Sequence, residues 1–435
     1  MVEILVINSM GMYSFGGRAV IQGFIISIQE NVPDAHITFI SSHYGDDLPV
    51  YQQWEYEGVQ VVDHTWYKDS DSFGRSLILS GFSGFFILCR MYAGRLLRSP
   101  DLLPSIYRNC DAIVDLTTDG PNDHYPLHMA LFSLFNTYLA TLSGKPVIVS
   151  AASIGEFKNK FLEKIARSVL NRVALITTRE EITYNYLQDG LWLENPEIQL
   201  TADHAFLMEP SSPEHIKDIL VNEGLDGASK PFIGITVSSI IHRYAFQWGE
   251  NIDERQKIYL EVMTRVVQEI VRRELGTILI IPHAYSLQKN MRDDKMLSQD
   301  LFDACRGRGV RLLQGSYDAN EVKGVIGKCA IFLGCRMHAT IAAMSMFVPT
   351  VAVVYGHKSH GILGKMLEME KYIISVENYR PDELYEEIIR DIDEILANKE
   401  LIQDQLTKNI FKTRCSALKN GECIRETIER SQTLK

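Results

Sequence analysis

Short apolar runs alternate along this chain with longer segments whose apolar residues recur every three to four positions. The runs fall at 2–8, 36–41, 59–63, 111–116, 146–153, 175–178 and 200–203, and again at 232–237, 277–282, 310–313, 330–333 and 348–355. Runs of this length, rich in Val and Ile, predict strands buried on both faces. The segments between them predict helices, notably over 18–30, 127–143, 255–274, 319–327 and 339–347. Strand and helix in strict alternation imply parallel sheets wound with helices on both faces, an α/β fold.

The stretch 209–231 breaks the alternation. It is polar, with Pro, Gly and Ser at both ends, as a domain boundary would be. With 435 residues, the chain is also too long for one ordinary core. The expected plan is a Rossmann-like domain over 1–210, a linker over 211–230 and a second Rossmann-like domain over 231–380. Charged helices over 381–435 are expected to pack back across both domains.

Candidate chemistry concentrates in AIFLGCRMHATIAAMSMFVPTVAVVYGHKSHG, residues 330–361. It reads as strand, tight turn, helix and strand, which puts Arg336 and His338 at the carboxyl edge of a parallel sheet, where α/β proteins bind ligands. A helix start with free N–H groups and a nearby Arg favours a phosphate or a carboxylate. His283, Lys358, His357 and His360 are expected near the same edge.

In the first half, Asp115, Asp119, Asp123 and His124 crowd one loop, either as a carboxylate-rich base site or as turn formers. Arg179 ends a strand and either meets an anion there or pairs with Glu180 or Glu181 on the surface. The loop NSMGMYSFGG is either a ligand cradle or a tight strand-to-helix turn. Residues 75–98 carry four arginines among apolar and aromatic residues. They read as a basic amphipathic helix at a membrane surface or lipid-linked acceptor, or as a buried helix with arginines at its rim.

Net charge −11 argues against a nucleic-acid partner, since phosphate backbones need a basic field. Seven scattered cysteines, without a CxxC pair or a Cys/His cluster of metal-ligand spacing, predict a reducing compartment and no metal. The N-terminus has no basic n-region and no run reaches about 20 apolar residues, so the expectation is a cytoplasmic protein. Two such domains facing across a cleft would bring Arg336, His338, His283 and Lys358 from one side and Asp119, Asp123 and Arg179 from the other. Cations on one wall and carboxylates on the other suit transfer from a phosphorylated or carboxylated donor to a hydroxyl.

At this point the residues carry a resemblance. GCRMHATIAAMSMFVPTVAVVY, GKPVIVSAASIGEF, ALITTREEITYNYL, TADHAF and IIPHAYS with Asp293-Asp294 downstream resemble the polysaccharide pyruvyl transferase family over nearly the whole chain. The resemblance implies a GT-B-like fold and transfer of pyruvate from phosphoenolpyruvate onto a sugar or glycan hydroxyl pair as a ketal. No cofactor beyond the donor substrate is implied. Arg336 and Lys358 would clamp the donor, with His283, Arg179 and Ser153 also binding substrate. His338 would act as general acid, because a histidine can give up a proton near neutral pH and be recharged. Asp119 or Asp123 would deprotonate the acceptor. The chain departs from the family pattern at Arg18, where relatives often carry an acid, in DLTTDGPND, at Glu156 and at His204. Two alternatives remain: a GT-B glycosyltransferase using a nucleotide sugar, and a non-catalytic sugar-binding protein of the same fold.

Overall fold

The structure, a computed structural model, describes all residues except 55, 64–87, 90, 94–95, 97–103, 124–125, 229, 249–250, 285–292, 308 and 434–435. The helix expected over 75–98 lies largely outside the described residues. The chain divides into two compact units. Unit 1 holds residues 1–12, 23–204 and 416–435, and unit 2 holds 13–22 and 205–415.

Unit 1 is built on β1 (Val2–Ile7), β2 (Ala35–Ser41), β3 (Val59–Asp63), β4 (Ala112–Asp115), β5 (Val147–Ala152), β6 (Leu175–Thr178) and β7 (Glu197–Leu200). They form one sheet in the order β3-β2-β1-β4-β5-β6-β7, every pairing parallel. The central strands β4, β5 and β6 are buried at every position, which accounts for their continuous apolar sequences. At the edge, β7 reads EIQL and is half exposed. It has no apolar run, so the expectation of a strand over 200–203 sits three residues too late.

Helix Lys160–Leu170 shows how the flanking layer is attached. Asn159 caps it by accepting from the N–H groups of Phe161 and Leu162, and Leu162, Ala166, Val169 and Leu170 form its buried stripe. Truncating a fully buried leucine such as Leu162 to Ala would cost roughly 2–5 kcal/mol.

Unit 2 carries β8 (Phe232–Ile235), β9 (Thr277–Ile280), β10 (Val310–Leu312), β11 (Cys329–Gly334), β12 (Thr350–Val354) and β13 (Ile373–Ser375). The order is β10-β9-β8-β11-β12-β13, again all parallel. In each sheet the chain moves outward from its first strand and then restarts on that strand's other side. The switch points are therefore β1/β4 and β8/β11, and ligands of such sheets bind at the carboxyl ends there.

Two features differ from the expected plan, and the C-terminal region is helical as expected. The expected linker contains a helix, Pro213–Asn222, capped by Ser212 and with Pro in its first turn. Helix Phe15–Asn31 starts three residues before the expected Arg18, and its residues up to Gln22 belong to unit 2. The C-terminal region is two helices, Pro381–Ala397 and Lys399–Thr433. The second is shared between the units, its residues up to Cys415 counting with unit 2 and those from Ser416 with unit 1. Within unit 1, Asn420 donates to the Ala202 carbonyl at 2.9 Å and accepts from the hydroxyls of Thr177 (2.6 Å) and Thr201 (2.8 Å).

Candidate active site

In unit 2, β8 and β11 end beside one another and their following residues are tied together. The Cys335 N–H donates to the Thr236 hydroxyl at 3.0 Å, and the Ser239 N–H donates to Asp294 at 2.8 Å. Arg336 is the N-cap residue of helix Met337–Ser345, and its own side chain makes no capping hydrogen bond. Its guanidinium lies against Asp294, the first residue of helix Asp294–Ala304: Nε donates to Oδ2 at 2.7 Å and Nη2 to Oδ1 at 2.6 Å. Nη2 also reaches the Ser239 hydroxyl at 3.3 Å. Asp294 is wholly buried, whereas the Arg336 side chain keeps 17% of its surface exposed. Burial works against the charge on Arg336, but the charge and hydrogen bonds of Asp294 outweigh it and hold the guanidinium above its ordinary range.

Two edges of the arginine fork are therefore occupied, and among the described residues Nη1 is the guanidinium nitrogen left over. That is narrower than a whole-guanidinium clamp, and it makes Arg336 a rigid donor rather than a swinging one. Asp294 and Ser239 were not picked out as site residues from sequence. The only signal was the Asp293-Asp294 pair ahead of a helix. Asp293 takes the N-cap, accepting from the Met296 N–H at 3.0 Å, and this leaves Asp294 for Arg336.

His338 is half buried and is the second residue of the same helix. His283, beyond the end of β9, is buried and meets the Phe15 ring edge-on at 5.5 Å. Its pKa is pushed down to about 3, first by burial and then by His338 and Arg336, which favours the neutral imidazole. Lys358 lies in the short helix His357–Ser359, its ammonium 5.5 Å from the centre of the Tyr355 ring, which itself stacks on Tyr244 at 4.3 Å. His360 is taken up structurally by Glu370 and Ser375, both at 2.7 Å.

In unit 1 the structure brings Arg179, Ser153 and Asp119 together. Arg179 is wholly buried, which overturns the surface-pairing alternative: Glu180 instead turns to Thr183, as its helix's N-cap. Arg179 donates from Nε to the Ser153 hydroxyl at 2.8 Å and from Nη1 to Asp203 at 2.6 Å. Its Nη2 has no hydrogen-bond partner and lies 3.7 Å from Asp119, whose side chain is 17% exposed. Asp119 and Ser153 are also joined by a parallel backbone bridge.

Asp123 is not part of this cluster. Its Oδ2 accepts from the N–H groups of Lys158 and Asn159 at the start of helix Lys160–Leu170, so it serves turn chemistry. Asp115 is a buried node whose pKa is raised by burial against the hydrogen bonds of Thr117, Thr137 and Asn8. His204 hydrogen-bonds the Ser150 hydroxyl at 2.9 Å. Burial pushes its pKa down to about 4, with Asp203 opposing and Arg179 adding. The departure at Arg18 is matched within unit 2, where Arg18 pairs with Asp318 at 2.8 Å. His124 lies outside the described residues. Among the described residues, no cluster of His, Cys, Asp and Glu could hold a metal ion, and no helix is long and apolar enough to cross a membrane.

Two parallel-sheet α/β units, with an arginine and a histidine at the switch point of the second, define a GT-B-like protein. The chain belongs to the polysaccharide pyruvyl transferase family, whose model matches residues 19–357. The amylovoran biosynthesis protein AmsJ of Erwinia amylovora is 23% identical over 276 residues, 63% of this chain and 64% of that protein. The chain thus spans less than two thirds of the length of this curated relative.

Among solved structures, a putative UDP-N-acetylglucosamine 2-epimerase from Listeria monocytogenes has a TM-score of 0.60 at 13% identity, covering 99% of this chain and 97% of its own. Sucrose-phosphate synthase from Thermosynechococcus elongatus has a TM-score of 0.56 at 12% identity, covering 99% and 100%. At such identities the likeness shows the fold alone.

Proposed function

We propose that this protein transfers pyruvate from phosphoenolpyruvate onto a pair of hydroxyls of a sugar or glycan, forming a ketal. The observation that carries the reading is Arg336, fixed by Asp294 with Nη1 left over, at the start of a helix with His338 two residues on. Phosphoenolpyruvate offers that arrangement a carboxylate and a phosphate on three carbons. One anionic group meets Nη1 and the helix N–H groups, and Lys358 meets the other.

His338 then gives its proton to the methylene carbon, and the electron pair of the C=C bond forms the new C–H bond. The cationic C2 that results is attacked by one sugar hydroxyl, whose proton passes to a base, for which Asp119 is the candidate. Inorganic phosphate leaves with the C2–O electron pair. The second hydroxyl attacks C2 and closes the ketal, its proton recharging the imidazole of His338, while the proton taken by Asp119 leaves on the phosphate. Arg179 and Ser153 hold Asp119 and its loop in place in unit 1, and His283 supplies a neutral, uncharging wall beside His338. No step calls on a cofactor beyond the donor.

The family and AmsJ, a protein named for amylovoran biosynthesis, support a polysaccharide acceptor. The test is incubation of the protein with phosphoenolpyruvate and a panel of glycans, followed by phosphate release and mass analysis. Phosphate released only with an acceptor, together with an acid-labile pyruvate ketal on the glycan, is expected. Turnover of a nucleotide sugar instead would establish a glycosyltransferase, and sugar binding without turnover of either donor a non-catalytic protein.

A further inference from the structure

We infer that Gly16 sets the orientation of the His338 imidazole, so that residues 13–22, at the start of the chain, are a working part of unit 2's site. The inference rests on the reading of His338 as proton donor. The Gly16 backbone lies so close to His338 that an added Cβ would overlap the ring at Nδ1 and stand 2.7 Å from Cγ. A side chain at this position would require the His338 ring to move. The Nδ1 edge of the ring is thus backed by peptide backbone, and the Nε2 edge is the one turned away.

Backbone can position a ring only if it is itself held, and this segment is fastened along its length. Ser14 forms an antiparallel bridge with Ala284, the residue after His283. Phe15 sets its ring at 89° to that of His283. Further along the helix, Arg18 donates to Asp318 at 2.8 Å and Gln22 donates to Asn320 at 2.8 Å. Asp318 is in turn fixed as the N-cap of helix Ala319–Ile326, with Glu321 completing a capping box. The links thus join the start of the segment to His283 and Ala284 and its end to the beginning of helix Ala319–Ile326. Gly16 is a positioning residue: it touches no substrate and acts through the imidazole.

The test is a double-mutant cycle with Gly16→Ala and His338→Ala, read in Tm and in kinetics. Gly16→Ala should lower Tm in the wild-type chain and lower it far less in the His338→Ala chain, where the ring is gone. In turnover, Gly16→Ala should reduce kcat by about tenfold or more with little change in KM for phosphoenolpyruvate, because a proton donor moved by about 1 Å loses transfer geometry. The double variant should be no slower than His338→Ala.

Arg18→Gln, which loosens the fastening without filling space, should lower kcat in the same direction and less. Equal Tm losses in both backgrounds would overturn the contact, and an unchanged kcat in a folded Gly16→Ala protein would overturn the positioning role. If wild-type protein turned over no phosphoenolpyruvate, the proton-donor reading would fall, while the Tm cycle would still decide whether Gly16 sets the ring.

Discussion

Arg336 and Asp294 form a two-pronged ion pair, 2.7 Å at Nε and 2.6 Å at Nη2, although 42 residues separate them in the chain. The pair converts a long, mobile side chain into a fixed donor at the β8/β11 switch point. It also changes which substitutions are informative. Removing either partner leaves the other's charge buried and uncompensated, which typically costs about 3–5 kcal/mol.

Arg336→Lys and Asp294→Asn should accordingly fail in different ways. The lysine keeps a charge near Asp294 but loses the planar fork and its outer nitrogen, so donor affinity should fall by about tenfold or more, the worth of one charged hydrogen bond. Chemical denaturation of Asp294→Asn should instead show a large loss of stability. An Arg336→Lys protein of unchanged donor affinity would remove the arginine from binding.

His338→Ala should keep the fold and the affinity for phosphoenolpyruvate within a few-fold, while turnover drops by about 10²-fold or more, the scale of general acid catalysis. Single-turnover kinetics beside calorimetry would read both quantities. Normal turnover would take His338 out of the mechanism.

Asp119 and Asp123 lie four positions apart in one loop and should behave oppositely. Asp119→Asn should lower turnover with little loss of stability, since its carboxylate is partly exposed and 3.7 Å from Arg179. Asp123→Asn weakens the bonds to the Lys158 and Asn159 N–H groups. It should cost about 1 kcal/mol or less of stability and leave kcat unchanged. The reverse pattern in a paired assay would move the base to Asp123.

His204 should make unit 1 lose stability on the acid side. Its pKa is about 4 in the fold against an ordinary 6.5, so between those values the unfolded chain carries the proton and the folded chain does not. Stability contributed by this site therefore rises with pH across that window, by up to about 1.4 kcal/mol per pH unit, and is lost as pH falls from 6.5 towards 4. His204→Gln should flatten the slope of unfolding free energy against pH in that range. An unchanged slope would mean the imidazole is not held neutral.

The fold was largely legible because buried parallel strands announce themselves as continuous apolar runs. β11 and β12, with the helix between them, are the best example, and with them came Arg336 and His338. Legibility failed where burial was partial, as in the exposed edge strand β7, or where a polar stretch hid the helix Pro213–Asn222.

The site was legible by residue type but not by partnership. Asp119 and Asp123 share composition and loop, and only the structure puts one beside Arg179 and the other under two backbone N–H groups. The pairing of Arg336 with Asp294, and the approach of Gly16 to His338 from the far end of the sequence, are long-range contacts. No local pattern encodes them.

The central claim is that unit 2 binds phosphoenolpyruvate through Arg336. The most direct measurement is calorimetric titration of the intact protein with phosphoenolpyruvate, alongside the Arg336→Lys variant and a nucleotide sugar, each with and without a glycan acceptor present. Saturable binding of phosphoenolpyruvate that weakens about tenfold or more in the variant is the predicted result. Binding of the nucleotide sugar with none of phosphoenolpyruvate under either condition would contradict it.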